Sequence, residues 1–199
     1  GFLAGLVLIA CGLAGPGTGT ALAAPCDEPV QNPVLCENTK PGNPESEWDV
    51  SGAGDPAIQG FATDISVDQG QTVRFKVDTT YSAYHLDIYR MGYYAGAGAR
   101  KVTTVGGVAQ NQDPCLDDAT TGLTDCGNWA ESASWAVPAD AVSGIYFAKL
   151  VRDGGASDGS HIYFIVRDDD GGADLLFQTQ DTTWQAYNEY GGRSLYQSN

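Results

Sequence analysis

The residues with the densest functional chemistry lie at the end of the chain, in "DLLFQTQDTTWQAYNEYGGRSLYQSN". Within a few positions, Thr179, Asp181, Thr182, Trp184, Tyr187, Asn188 and Tyr190 offer hydroxyl, carboxylate, indole, phenol and amide groups. They follow Leu175, Leu176 and Phe177, a run apolar at consecutive positions. Such a run suits a strand buried on both faces, as in an α/β sheet, and loops at the carboxyl ends of those strands are where ligands bind. An ordinary interdomain connection has the same pattern. Trp184, Tyr187 and Tyr190 could also form an aromatic surface, because ring faces stack on the CH groups of sugars.

Elsewhere the chemistry is sparse. His85 and His161 each fall inside an alternating strand pattern, with no Gly-x-Ser-x-Gly elbow or Cys-x-x-Cys partner near them. "RMGYYAGAGAR" is glycine-rich but lacks the strand-to-helix context of a phosphate loop, so a long inter-strand loop or an interdomain contact is expected there. Asp168, Asp169 and Asp170 are hard oxygen donors, but three acids in a row without alternating spacing read as a solvated linker rather than a calcium loop.

Four cysteines follow the first 24 residues: Cys26, Cys36, Cys115 and Cys126. Paired zinc ligands usually stand two to four residues apart, a spacing absent here. The close pairs predict Cys26–Cys36 and Cys115–Cys126 disulfides, although four cysteines allow three connectivities. Each loop of about ten residues contributes roughly 2.5–3 kcal/mol on a chain-entropy model.

An oxidising compartment agrees with the N-terminus. Residues 1–24 combine an apolar run from Phe2 to Ala14 with the small-residue site Ala21-Leu22-Ala23, the pattern of a secretory signal peptide. An alternative is lipid attachment at Cys11, since Leu8-Ile9-Ala10-Cys11 resembles a lipobox. No other stretch approaches the length of a transmembrane segment, so a secreted protein is expected. A formal net charge of −15 repels phosphate backbones and makes nucleic acid an improbable partner.

The positioning elements are strands. Residues 25–57 read as an extended lead-in. In "QTVRFKVDT", Val73, Phe75 and Val77 alternate with Arg74, Lys76 and Asp78. The preceding run, Ile58 to Val67, joins it through Asp68-Gln69-Gly70, a hairpin signal. Further strands are predicted at 84–90, 101–105, 132–137, 144–152 and 160–167. Short strands between Gly, Pro and Asp clusters predict an all-β fold, an immunoglobulin-like antiparallel β-sandwich over residues 58–168. Tyr146, two residues before Ala148, has the spacing of a corner tyrosine, and Trp135 reads as a core aromatic. A linker at 169–173 would lead to the truncated start of an α/β domain at 174–199.

Three segments carry a wider resemblance: "NPVLCENTKPGNPESEWDVSGAGDPAIQGFATDISVDQGQTVRFKVDT", "LDIYRMGYYAGAGARKV" and "DLLFQTQDTTWQAYNEYGG". Together they resemble exported bacterial proteins related to the large (beta) subunit of N,N-dimethylformamidase. The resemblance implies an immunoglobulin-like module ahead of a large C-terminal catalytic domain. It also implies hydrolysis of linear amides at an iron held by two tyrosines and a glutamate, the metal acting as a Lewis acid. Tyr187 in "TWQAYN" matches the tyrosine of the family's Thr-aromatic-x-Ala-Tyr motif and is the candidate first iron ligand. The other ligands are expected beyond Asn199, which makes the chain an N-terminal fragment, inactive alone and binding no cofactor by itself. The catalytic domain would be its main partner. A cell-surface carbohydrate-binding or adhesion module without catalysis is the competing expectation.

Overall fold

The computed structural model describes residues 24–154 and 159–196; nearly all of the expected signal peptide, Cys11 included, lies outside them. Two short helices, α1 (Pro33–Asn38) and α2 (Glu45–Trp48), precede the strands. The strands are β1 (Ile58–Ala62), β2 (Ser66–Asp68), β3 (Thr72–Thr79), β4 (Tyr84–Met91), β5 (Ala99–Gly106), β6 (Leu116–Asp118), β7 (Leu123–Asp125), β8 (Ala133–Ala136), β9 (Gly144–Arg152) and β10 (Gly159–Arg167). A final helix, α3, spans Asp181–Tyr187.

Two sheets face each other, one ordered β1-β3-β8 and the other β2-β10-β9-β4-β5. The alternation that predicts β3 is realised: Val73, Phe75 and Val77 are fully buried and join Leu86, Ile88, Leu150, Ile162 and Phe164 in the core between the sheets. Phe75 packs edge-on against Phe164 at 5.7 Å, and Trp135 lies 6.1 Å from the same ring. The strand orders are those of an immunoglobulin-like sandwich, in which the first strand is shared between the sheets and its second half runs parallel to the last strand. Here β2 is that half, pairing in parallel with β10 from Ser66↔Ile165 to Asp68↔Arg167.

That sharing corrects the hairpin expectation. Residues 58–67 are not one strand turning at Asp68-Gln69-Gly70 into β3. β1 does pair antiparallel with β3, from Ile58↔Thr79 to Ala62↔Phe75. The chain then bends at residues 63–65 and crosses to the other sheet. The turn at Gly70, whose φ is 75°, therefore connects strands in different sheets.

Tyr146 closes the predicted corner, its hydroxyl donating to the Val142 carbonyl at 2.6 Å. Arg90 reinforces it from β4, donating to the Val142 carbonyl at 3.2 Å and the Ser143 carbonyl at 2.8 Å. Both predicted disulfides are present, Cys26–Cys36 and Cys115–Cys126. The second closes the β6–β7 hairpin, which has no apolar alternation to announce it.

The lead-in is less extended than its composition suggests. Asn32 caps α1 by accepting from the Leu35 N–H at 3.0 Å, with Pro33 at the first helical position. α2 delivers Trp48 to the outer face of the five-stranded sheet, against Phe147 at 6.2 Å. Tyr89, Ala99 and Phe147 form a second buried cluster there, to which Trp48 and Tyr163 contribute. Covered on both sides, β4 and β9 lose the alternation that an exposed face would impose.

Candidate functional site

Two constellations bring polar chemistry together. The first joins α1 to the "RMGYYAGAGAR" loop. Glu37 is buried and accepts from Arg100 Nε at 2.7 Å, from the Tyr94 hydroxyl at 3.0 Å and from Lys40 Nζ at 2.7 Å, with Arg100 Nη2 bonded to the same carboxylate. Tyr94 in turn accepts from Arg90 Nη1 at 3.1 Å. Burial pushes the Glu37 carboxyl up, but Lys40, Arg100 and Tyr94 together outweigh it and hold the group below the usual carboxylate range. Through Arg100 of β5 and Tyr94, the Glu37 carboxylate acts as a latch holding the lead-in to the sheet edge. Glu37, a single acid in a Pro- and Asn-rich stretch, has no sequence signal of its own.

The two histidines belong to the scaffold as well. His161 Nε2 donates to the Trp48 carbonyl at 2.6 Å, so in the neutral ring Nδ1 accepts from the Tyr163 hydroxyl at 3.2 Å. Burial pushes its pKa down. His85 Nδ1 lies 2.6 Å from Asp153 Oδ1 on the sheet surface. In the acidic run, Asp169 is engaged by Arg167 Nη2 at 2.9 Å. Among the described residues no group of three or more His, Cys, Asp or Glu is arranged to hold a metal.

The second constellation is the terminal segment. Leu175, Leu176 and Phe177 form no strand; they are 90%, 93% and 79% exposed. The expected loop after them is helical from Asp181, an acid in the first turn where the helix dipole favours it. Helix α3 lays Trp184 edge-on against Tyr163 of β10, with ring centroids 5.5 Å apart. The chain then turns at Gly191 and Gly192, whose φ values are 83° and 82°. It returns so that Leu195 N–H donates to the Ala186 carbonyl at 3.1 Å and Tyr196 stacks on Tyr187 at 4.5 Å.

Between α3 and the end of the five-stranded sheet lies a cleft of about 420 Å³, whose walls include Ile65, Ile145, Tyr163, Asp181, Trp184 and Tyr187. Of the three aromatic residues singled out in the sequence, Trp184 and Tyr187 therefore share one space. Tyr190 does not line it: its hydroxyl sits 3.9 Å from Cys115 Sγ, and burial and then Asp78 raise its pKa. Tyr163 also lines the cleft, hidden from the sequence because it lies in an ordinary strand. Burial raises its pKa too.

Tyr187, the candidate iron ligand, is 60% exposed, with its ring stacked on Tyr196.

The strand orders, the shared first strand and the tyrosine corner define an immunoglobulin-like β-sandwich with an aromatic C-terminal appendage. The chain belongs to the N,N-dimethylformamidase beta subunit-like family, whose C-terminal model matches residues 85–199, more than half of the sequence. The match begins inside β4 and so takes in strands of the sandwich as well as the terminal segment. Among solved structures, the chain is similar to an uncharacterized protein from Bacillus anthracis str. Ames, at 11% identity over 53% of this chain and 82% of that one, with a TM-score of 0.33. It is also similar to domain 1 of VCBP3 from Branchiostoma floridae, at 10% identity over 58% of this chain and 98% of that one, with a TM-score of 0.34. No curated protein matches. The two disulfides suit an oxidising compartment, and no helix among the described residues is long and apolar enough to cross a membrane.

Proposed function

We propose that this chain is the immunoglobulin-like module of an exported amide hydrolase of the dimethylformamidase type. In this reading it is seated beside a catalytic domain whose iron ligands come mostly from outside these 199 residues. Family membership supports the class. The observation that carries the accessory role is the strip formed by Leu175, Leu176 and Phe177, three large apolar side chains presented together to solvent. Contiguous apolar surface of this kind is the mark of an interface awaiting a partner. Tyr187, a few residues further on, is the contribution of this chain to the metal site of the assembled enzyme, consistent with its place in "TWQAYN".

The direct test is formate release from N,N-dimethylformamide with iron supplied. The 199-residue chain alone is expected to give none, and a protein that continues into the catalytic domain is expected to turn over. Turnover by the chain alone would overturn the accessory role. In the longer protein, Leu176→Asp is expected to lower activity while the thermal transition of the sandwich stays in place. An unchanged rate would show that the strip is not the contact.

A further inference from the structure

We infer that the cleft between α3 and the sheet binds a small alkylated ammonium ion, held by the rings of Tyr163, Trp184 and Tyr187 and by the carboxylate of Asp181. The inference goes beyond the amide-hydrolase reading and does not rest on it. Tyr163 and Trp184 are tilted 65° to each other, so they form a corner rather than a stack. Aromatic faces carry negative electrostatic potential, and a cation within about 6 Å of a ring centroid is attracted to it. Asp181, on the same wall, has its carboxylate oriented by the Thr179 hydroxyl, which donates to Oδ1 at 2.7 Å. No Lys or Arg lines the cleft, and the chain carries a net charge of −15, so the surrounding field also favours a cation.

The chemistry of the walls selects the kind of cation. Ile65 and Ile145 supply apolar floor. A primary ammonium would have to give up strong hydration there for few acceptors. Methyl groups replace those N–H donors in an alkylated ammonium, which is weakly hydrated, fills an apolar cleft and keeps its charge for the rings and for Asp181.

Choline is the probe, with its neutral carbon isostere, dimethylbutanol, as the control for size and apolarity. Titration of an isotope-labelled chain followed through the indole N–H signals separates the four tryptophans. The Trp48 indole is bonded to the Asn43 and Ala97 carbonyls and the Trp129 indole to the Asp113 carbonyl, while Trp135 is buried in the core. Only the Trp184 signal is expected to move, with a Kd on the order of millimolar for so small a ligand. Dimethylbutanol is expected to bind about threefold or more weaker. Asp181→Asn is expected to weaken choline about threefold; followed through the backbone amide signals of α3, Trp184→Ala is expected to weaken it about tenfold and Trp184→Phe to retain most of the binding. Unchanged signals from the other three indoles verify the fold of each variant. Equal affinity for choline and dimethylbutanol, or a Trp184 signal that stays still at about 100 mM choline, would overturn the assignment.

Discussion

Phe75 and Phe177 are the same residue type in opposite circumstances. One sits at the centre of the sandwich with no solvent contact, and the other stands 79% exposed beyond the last strand. The sandwich satisfies its apolar surface internally, through two sheets, a corner and a latch. The terminal segment does not: Leu175, Leu176 and Phe177 stand exposed ahead of a seven-residue helix. The part that folds by its own packing is thus distinct from the part that carries Trp184 and Tyr187.

The sharpest way to break this contrast is to truncate both phenylalanines. Phe75→Ala is expected to lower the stability of the sandwich by about 3–5 kcal/mol in urea denaturation, because a core cavity adds to the lost transfer energy. Phe177→Ala is expected to leave it within about 0.5 kcal/mol. A comparable loss from both would show that the terminal segment is packed in solution.

Next in size is the latch. Glu37→Gln removes the charge facing Arg100 and Lys40 within a buried network and is expected to cost about 3 kcal/mol. The sign of the pH dependence follows from the depressed pKa of Glu37. Its contribution is fully present above the unfolded value near 4.5 and is lost as the pH falls through the lower folded value, so the wild type should lose more stability than the variant on acidification. Parallel acid titrations would contradict the assignment.

Tyr146→Phe deletes one hydrogen bond at the corner and is expected to cost about 1–1.5 kcal/mol by thermal denaturation. The loss is limited because Arg90 still donates to Val142. A smaller effect is expected at Ala95, whose φ of 56° lies in the left-handed region. Ala95→Gly should raise stability by less than about 1 kcal/mol, since glycine relieves the steric cost there but orders a freer unfolded chain.

Much of the sandwich was legible because half-buried strands write their period into the sequence. Val73, Phe75 and Val77 predicted β3, and the Tyr146–Ala148 spacing predicted the corner. The switch at residues 63–65 was hidden, because a strand that changes sheets keeps a strand-like composition throughout. Leu175–Phe177 misled for a related reason: an apolar run signals burial without saying whether the covering surface belongs to the same chain. In the cleft, Trp184 and Tyr187 were visible in the motif, whereas Tyr163 comes from a strand whose composition gives no hint that its outer face meets α3. Glu37 was invisible because its partners Tyr94 and Arg100 lie some 60 residues away, at separations of 57 and 63.

The short parallel pairing of β2 with β10 has a mechanical meaning. Tension entering the chain at Ile65 and leaving at Asp168 draws these two strands past each other along their own axes. Their ladder is then loaded all at once, in shear, instead of opening one rung at a time. For a protein tethered at one end and tugged at the other, those three residues act as a brake on unravelling.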